Sequence, residues 1–175
     1  LFNQSATLFA NDGISVALQE VFVWNTADPY GGGSSSDMLE DFQNVTSSIN
    51  GDMGHLLDLD MLNGGVAAGF GTICATNVDD RLCYSGIESS FNNVPTYSWS
   101  VDVVTHEQGH LLGSRHTHAC VWNGNNTAID GCSASEGGCP QGPIPAAGTI
   151  MSYCGTVDFT LGFGPQPAQV IRDHV

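Results

Sequence analysis

Three histidines and one glutamate between residues 101 and 116 have the types and spacing that metal-assisted hydrolysis requires. His106 and His110 are four residues apart, so on a helix their imidazoles lie on one face and can reach a common metal ion. Glu107 follows the first histidine and can act as a general base. His116 can supply the third ligand that a catalytic zinc site needs, with a fourth position left for water.

Gly113 explains how His116 could approach the ion that His106 and His110 face. A continuous helix would carry His116 away, whereas glycine readily adopts the left-handed conformation that ends a helix and reverses the chain. The alternative is a surface helix with three unrelated histidines, but the fixed spacing of the glycine and the third histidine argues against it. His118 lies beyond the motif position, and we expect it beside the site or at the surface.

These residues resemble the zinc signature of the metzincin metallopeptidases. Residues 149–153 resemble that family's second hallmark, the Met-turn, with its methionine at Met151. The resemblance implies an α+β fold in which a twisted mixed β-sheet with helices lies above an irregular C-terminal subdomain. It further implies one catalytic domain over residues 1–175, divided by the zinc cleft into an upper part of about 1–113 and a lower part of about 114–175. The family's first strand would precede residue 1, together with a propeptide and a secretion signal.

The resemblance also implies roles for particular residues. His106, His110 and His116 would hold one zinc ion, and Glu107 would activate a zinc-bound water to hydrolyse peptide bonds. Met151 would form an apolar floor beneath the histidines without binding the metal. The sequence therefore predicts a secreted zinc endopeptidase that acts as a monomer on extended polypeptides. A binding or adhesion module of the same fold without catalysis is the alternative, although such members tend to lose one of these four polar residues.

Two further features concern the branch of the family. The run Gly65, Val66, Ala67, Ala68 and Gly69 resembles the edge strand of the reprolysin (adamalysin) branch, where the substrate pairs antiparallel with it through main-chain hydrogen bonds; an ordinary glycine-rich strand is the alternative.

Tyr153 instead resembles the Met-turn tyrosine of astacins and serralysins, which is a fifth zinc ligand and stabilises the tetrahedral intermediate. It could equally pack under the site with its hydroxyl bonded elsewhere. Thr117 departs from the aspartate that reprolysins generally have after the third histidine, which leaves the branch open.

Six cysteines in a chain of this length point to disulfides and an oxidising compartment, and the lack of a Cys-x-x-Cys pair argues against a second zinc site. Fifteen pairings are formally possible. We expect Cys74 with Cys83, because this pair is the most local, and then Cys120 with Cys154 and Cys132 with Cys139.

The charge of the chain restricts its partners. Eighteen acidic residues against three arginines and no lysine give a formal net charge of −15, which would repel nucleic acid and anionic membrane surfaces. No apolar run approaches the roughly 20 residues of a membrane span. Calcium is a possible further ligand for so acidic a surface.

Periodicity and turn residues predict the remaining elements. Helices are expected up to Asn11, after a cap at Ser36 or Asp37, and over residues 166–175. Strands are expected over residues 14–24, 55–62, 64–75 and 84–87.

Overall fold

Four α-helices and a three-stranded sheet make up the regular structure in the computed structural model, which describes residues 1–60 and 64–175. The helices are α1 (Phe2–Asn11), α2 (Ser35–Val45), α3 (Trp99–Leu111) and α4 (Pro165–His174), and the strands are β1 (Gly54–Asp58), β2 (Gly65–Ala67) and β3 (Leu82–Gly86). Two short 3₁₀ helices, Asp79–Arg81 and Phe159–Leu161, complete the set. The predicted α+β class is confirmed.

The sheet is mixed and has the order β1-β3-β2. β1 runs parallel to β3, with His55 opposite Cys83, whereas β2 runs antiparallel to β3, with Val66 opposite Tyr84. All five residues of β3 are buried, as expected of a strand that has a neighbour on each side. β2 therefore lies at an edge, and in the described part of the chain its backbone pairs on one side only.

Helix α3 passes through the centre of the molecule. Ten of its thirteen residues are buried, so it has almost no solvent-facing side, unlike an amphipathic surface helix. Ser98 is its N-cap residue. The main core packs against this helix and includes Phe9 of α1 and Phe163, whose rings lie 4.9 Å apart between centroids.

One predicted strand is wrong. Residues 14–24 are rich in valine and aromatic residues but form no strand, and no backbone ladder beside them was found in the described ranges. As a result Val21, Phe22 and Val23 are mostly exposed. A strand needs a partner, and composition alone does not supply one.

Other elements differ mainly in their limits. Ser34 caps α2, not Ser36 or Asp37, because its hydroxyl accepts a hydrogen bond from the Asp37 backbone N–H. The strand predicted over 55–62 ends at Asp58, and its last two residues lie outside the described residues. The strand predicted over 64–75 is confined to Gly65–Ala67.

The predicted disulfide pairing is also wrong. The bonds join Cys120 to Cys139 and Cys132 to Cys154, and Cys74 and Cys83 are free thiols. The expected Cys74–Cys83 bond does not form, since Cys83 is fully buried in the central strand whereas Cys74 is exposed in the loop after β2.

The expected Cys120–Cys154 and Cys132–Cys139 bonds fail because the chain brings different cysteines together. A parallel bridge between Ala119 and Glu136 places Cys120 beside Cys139.

Within the described ranges, no helix has the length and apolar character that crossing a membrane would require.

Candidate active site

Three imidazoles converge at the C-terminal half of α3. His106 and His110 lie one turn apart on this helix and are 7% and 5% exposed, and His116 joins them from the segment that follows. The Nε2 atom of His116 lies 3.1 Å from Nε2 of His110 and 3.2 Å from Nε2 of His106. All three Nε2 atoms thus face one point.

The turn at Gly113 brings His116 to this point. Gly113 has a φ of +107°, which L residues with a side chain rarely adopt, and Ser114 N–H donates to the Gly109 carbonyl across the turn. The same turn orients the second histidine, because the Ser114 carbonyl accepts a hydrogen bond from Nδ1 of His110 at 2.8 Å. The reversal that ends α3 therefore also fixes the ring of His110.

The segment that contains Met151 orients the first histidine. The Ile150 carbonyl accepts a hydrogen bond from Nδ1 of His106 at 2.7 Å, and the Met151 carbonyl accepts one from Thr117 N–H at 3.0 Å. The Met151 side chain is fully buried, and a Cβ placed on Gly109 would lie 2.9 Å from its sulfur. Met151 is therefore packed directly against α3, beneath the histidine-bearing turn.

These hydrogen bonds decide how the rings are protonated. Carbonyl oxygens only accept, so Nδ1 of His106 and of His110 must carry the proton, and Nε2 of each neutral ring presents a lone pair. Nδ1 of His116 likewise points to a carboxylate oxygen, Oε1 of Glu136, at 2.6 Å. Burial together with the neighbouring His116 lowers the pKa of His106 to about 4, and burial lowers the pKa of His110 as well.

This donor set fits a zinc ion. Nε2 of His116 lies only 3.1 Å from Nε2 of His110 and 3.2 Å from Nε2 of His106, and lone pairs at these distances repel one another unless a cation lies between them. Tetrahedral zinc with Zn–N bonds of about 2.0–2.1 Å needs its nitrogens about 3.3 Å apart, which is close to the spacing observed. The three histidines could therefore hold a metal ion with little movement.

Glu107 lies buried on α3 against the edge strand. Its side chain is so close to β2 that a Cβ on Gly65 would lie 2.5 Å from its Oε1. Burial raises the pKa of Glu107 to about 8. A carboxyl group with a high proton affinity thus lies between the histidine-bearing turn and β2.

Among the five residues predicted to bind substrate, Gly65, Val66 and Ala67 form β2, while Ala68 and Gly69 belong to the turn that follows. Ala68 N–H still donates to the Leu82 carbonyl and so continues the ladder with β3 by one bond. In the described residues the other edge of this strand has no paired strand, so a further strand could add there.

Tyr153 lies over the histidine cluster. Its ring centroid is 4.6 Å from that of His116 and 5.9 Å from that of His106, and its side chain is about half exposed. Burial, with the charges of Glu107 and Glu136, raises the pKa of its hydroxyl.

Sequence reasoning missed Glu136. Its carboxylate contacts His116 and also lies 3.3 Å from Nε2 of His118, a buried residue whose ring stacks on His116. Burial raises the pKa of Glu136, but the hydrogen bond from His116 and the nearby charges outweigh burial and lower it overall. The only available signal was that Asp130 and Glu136 are the sole acidic residues between positions 117 and 148.

Comparison with models of protein families shows which family the chain belongs to. The sequence model of a reprolysin-type family, described as metallo-peptidase family M12, matches residues 1–161. The chain belongs to metallopeptidase family M12. No curated protein was found to match the chain significantly. Membership confirms the predicted metzincin, reprolysin-like identity and implies a zinc-dependent peptidase that acts on protein substrates.

Calcium finds no support in this M12 chain. Ca²⁺ prefers six to eight oxygen ligands. In the described residues, every cluster of side chains close enough together to bind one metal ion includes a histidine or a cysteine, and none consists of carboxylates alone. One of these groups, Asp130 with Cys132 and Cys154, is formed around a disulfide and offers no thiolate.

Proposed function

We propose that this M12 chain is a secreted zinc endopeptidase that uses Glu107 as its proton acceptor and the edge of β2 as its substrate-binding strand. The observation that carries the proposal is the arrangement of three inward-facing Nε2 atoms beside a buried glutamate. His106, His110 and His116 would hold the metal. A zinc ion bound there would polarise the scissile carbonyl and make a water molecule more acidic.

Glu107 would then move one proton twice. Its carboxylate takes a proton from the attacking water as the new C–O bond forms, and it returns that proton to the leaving amine as the C–N bond breaks. The burial of Glu107 supports this role, because a desolvated carboxylate binds a proton more strongly than an exposed one does.

The backbone of residues 65–69 would hold the substrate. An extended peptide adds to a free strand edge through main-chain hydrogen bonds, which places little demand on substrate sequence. The support is that Gly65 brings this strand against Glu107, so that a bound peptide would lie beside the proton acceptor. The cleft would separate residues 1–113 from residues 114–175.

Tyr153 would assist from its position against the histidine rings. Its ring lies against His116, and its half-exposed position would leave the hydroxyl free to approach the developing oxyanion. We expect Tyr153→Phe to lower kcat more than it weakens zinc binding. Equal turnover in variant and parent would limit Tyr153 to packing.

Secretion is supported by the Cys120–Cys139 and Cys132–Cys154 disulfides, since such bonds persist in oxidising compartments. The proposal predicts that the protein recovered from an oxidising compartment carries both bonds.

Cleavage of gelatin tests the proposal. The parent protein should cleave it, a zinc chelator should abolish cleavage, and added zinc should restore it. Glu107→Gln keeps the size of the side chain but cannot accept the proton, so it should bind one zinc per chain and lose at least about 100-fold in kcat.

Two results would contradict the proposal. Cleavage by Glu107→Gln at the parent rate would remove Glu107 from the mechanism. A parent that binds one zinc per chain but cleaves nothing would favour the alternative of a catalytically silent binding module.

A further inference from the structure

The carboxylate of Glu136 makes its closest contact with Nδ1 of His116, the ring nitrogen that does not face the other two histidines. The Nδ1···Oε1 distance of 2.6 Å is short for a hydrogen bond, as expected when the acceptor is charged. Arg115, the nearest cation, is 3.9 Å from the other carboxylate oxygen, so that ion pair is at best loose. The carboxylate is therefore engaged with the imidazole.

The backbone around Glu136 is held in place from two sides. Its carbonyl accepts a hydrogen bond from Cys120 N–H at 2.8 Å, and its N–H donates to the His118 carbonyl at 3.1 Å. Gly137 and Gly138 then adopt positive φ and return the chain to Cys139, which is bonded to Cys120. The disulfide thus closes a loop from which Glu136 faces the histidine cluster.

His118 also holds the ring of His116 in place, by stacking against it. Its ring lies parallel to that of His116, at 4.8 Å between centroids and 8° between planes, and its Nε2 lies 3.3 Å from the same Oε1 atom. His118 is 2% exposed, so the stack cannot easily slide. The ring of His116 is therefore held by a stacked neighbour and by a hydrogen bond at its outer nitrogen.

We propose that Glu136 is the positioning residue for the third metal ligand. Through its hydrogen bond it holds the proton of His116 on Nδ1, directs Nε2 towards the other two histidines, and adds negative charge that makes Nε2 a stronger donor. The Cys120–Cys139 loop holds the Glu136 carboxylate next to His116. The inference rests on the proposed function only in taking His116 as a ligand.

The first test needs no metal. Long-range ¹H–¹⁵N spectra of the metal-free protein at pH 8 report which nitrogen of each neutral imidazole carries the proton. In the parent, His106, His110 and His116 should all be protonated on Nδ1. Glu136→Ala should leave the first two unchanged, because their acceptors are the Ile150 and Ser114 carbonyls, and should convert His116 to a mixture of tautomers.

The second test measures zinc affinity by competition with a chelator. Glu136→Ala should raise the Kd for zinc about 10- to 100-fold, the usual effect of removing a carboxylate that orients a ligand histidine. Glu136→Gln retains an oxygen acceptor but loses the charge, so it should keep the Nδ1 tautomer and weaken binding only roughly fivefold. Glu40→Ala is the matched control, because Glu40 is exposed on α2, far along the chain from the site.

The outcomes separate cleanly. Parent-like zinc affinity and an unchanged His116 tautomer in Glu136→Ala would overturn the inference. If that variant does not fold, Glu136→Gln decides, and unchanged zinc binding there would count against the role. A parent without zinc binding would instead refute the proposed function, and the tautomer spectrum would still decide whether Glu136 sets the ring of His116.

Discussion

Adding one methyl group to Gly65 should displace Glu107 without disturbing the three histidines. A Cβ at this position would lie 2.5 Å from Oε1 and 2.7 Å from Cγ of Glu107, and 2.7 Å from Val103 Cγ2. Ordinary van der Waals contact begins at 3.4 Å, so the carboxylate or the strand must move by 3.4 − 2.5, about 0.9 Å. Gly65 does not have a positive φ, so the backbone itself tolerates alanine.

The size of the effect follows from that shift. Misplacing a reacting group by about 1 Å can cost about 100-fold in rate, so Gly65→Ala should lose about 100-fold in kcat/KM. Overpacking should also lower the free energy of unfolding by about 1–3 kcal/mol. The Kd for zinc should stay within about threefold of the parent value, because the atoms nearest the added methyl group belong to Glu107 and Val103 and not to an imidazole.

Gly33→Ala is the matched control for this change. A Cβ on Gly33 would meet nothing within 4 Å, and this residue precedes α2, away from the histidines. Activity on gelatin, thermal unfolding and chelator competition should be measured on the parent and both variants. If Gly65→Ala cleaves as fast as the parent with parent-like stability, β2 does not lie against Glu107 as described, and the reasoning fails.

Three further predictions concern stability and the cysteines. Burial raises the pKa of Asp102 to about 7, so the folded state holds a proton that the unfolded chain releases near pH 4. Stability should therefore fall as the pH rises from about 4 to 7, by up to roughly 4 kcal/mol, and denaturant titrations of Asp102→Asn should lack this contribution; identical pH profiles would contradict it. Met151→Ala should lower the unfolding free energy by about 2–5 kcal/mol in denaturant titration, whereas Met151→Leu should cost less than about 1.5 kcal/mol and leave the zinc Kd unchanged, because the thioether fills space; tenfold weaker zinc binding in the leucine variant would contradict this. A thiol reagent should modify Cys74 in the native protein and Cys83 only after denaturation, and two fast native thiols would refute the described burial of Cys83.

Helix α3 and its histidine pair could be predicted because the information for them is local. The spacing of His106 and His110 reads directly as one helical face, and Gly113 marks the point at which the chain must turn. Regular elements with clear boundaries, such as α1 and α4, could also be predicted from periodicity and turn residues.

The errors arose where structure depends on distant partners. Residues 14–24 have the composition of a strand, but a strand exists only beside another one, and no ladder was found for this segment in the described residues. The cysteines failed for a related reason. Cys120 pairs with Cys139 because a bridge between Ala119 and Glu136 aligns two irregular segments. Such an isolated bridge has no hydrophobic periodicity in the sequence from which it could be predicted.

The orientation of the histidines shows why the irregular half of the chain matters to the site. Each imidazole is fixed at Nδ1 by a group from a different segment. These groups are the Ser114 carbonyl at the end of α3, the Ile150 carbonyl next to Met151 and the Glu136 carboxylate in the disulfide loop. The helix supplies two of the nitrogens, but two of the three orienting groups come from residues beyond 130. Substitutions in that half should therefore weaken metal binding without touching a ligand, and sequence motifs centred on the helix would not reveal them.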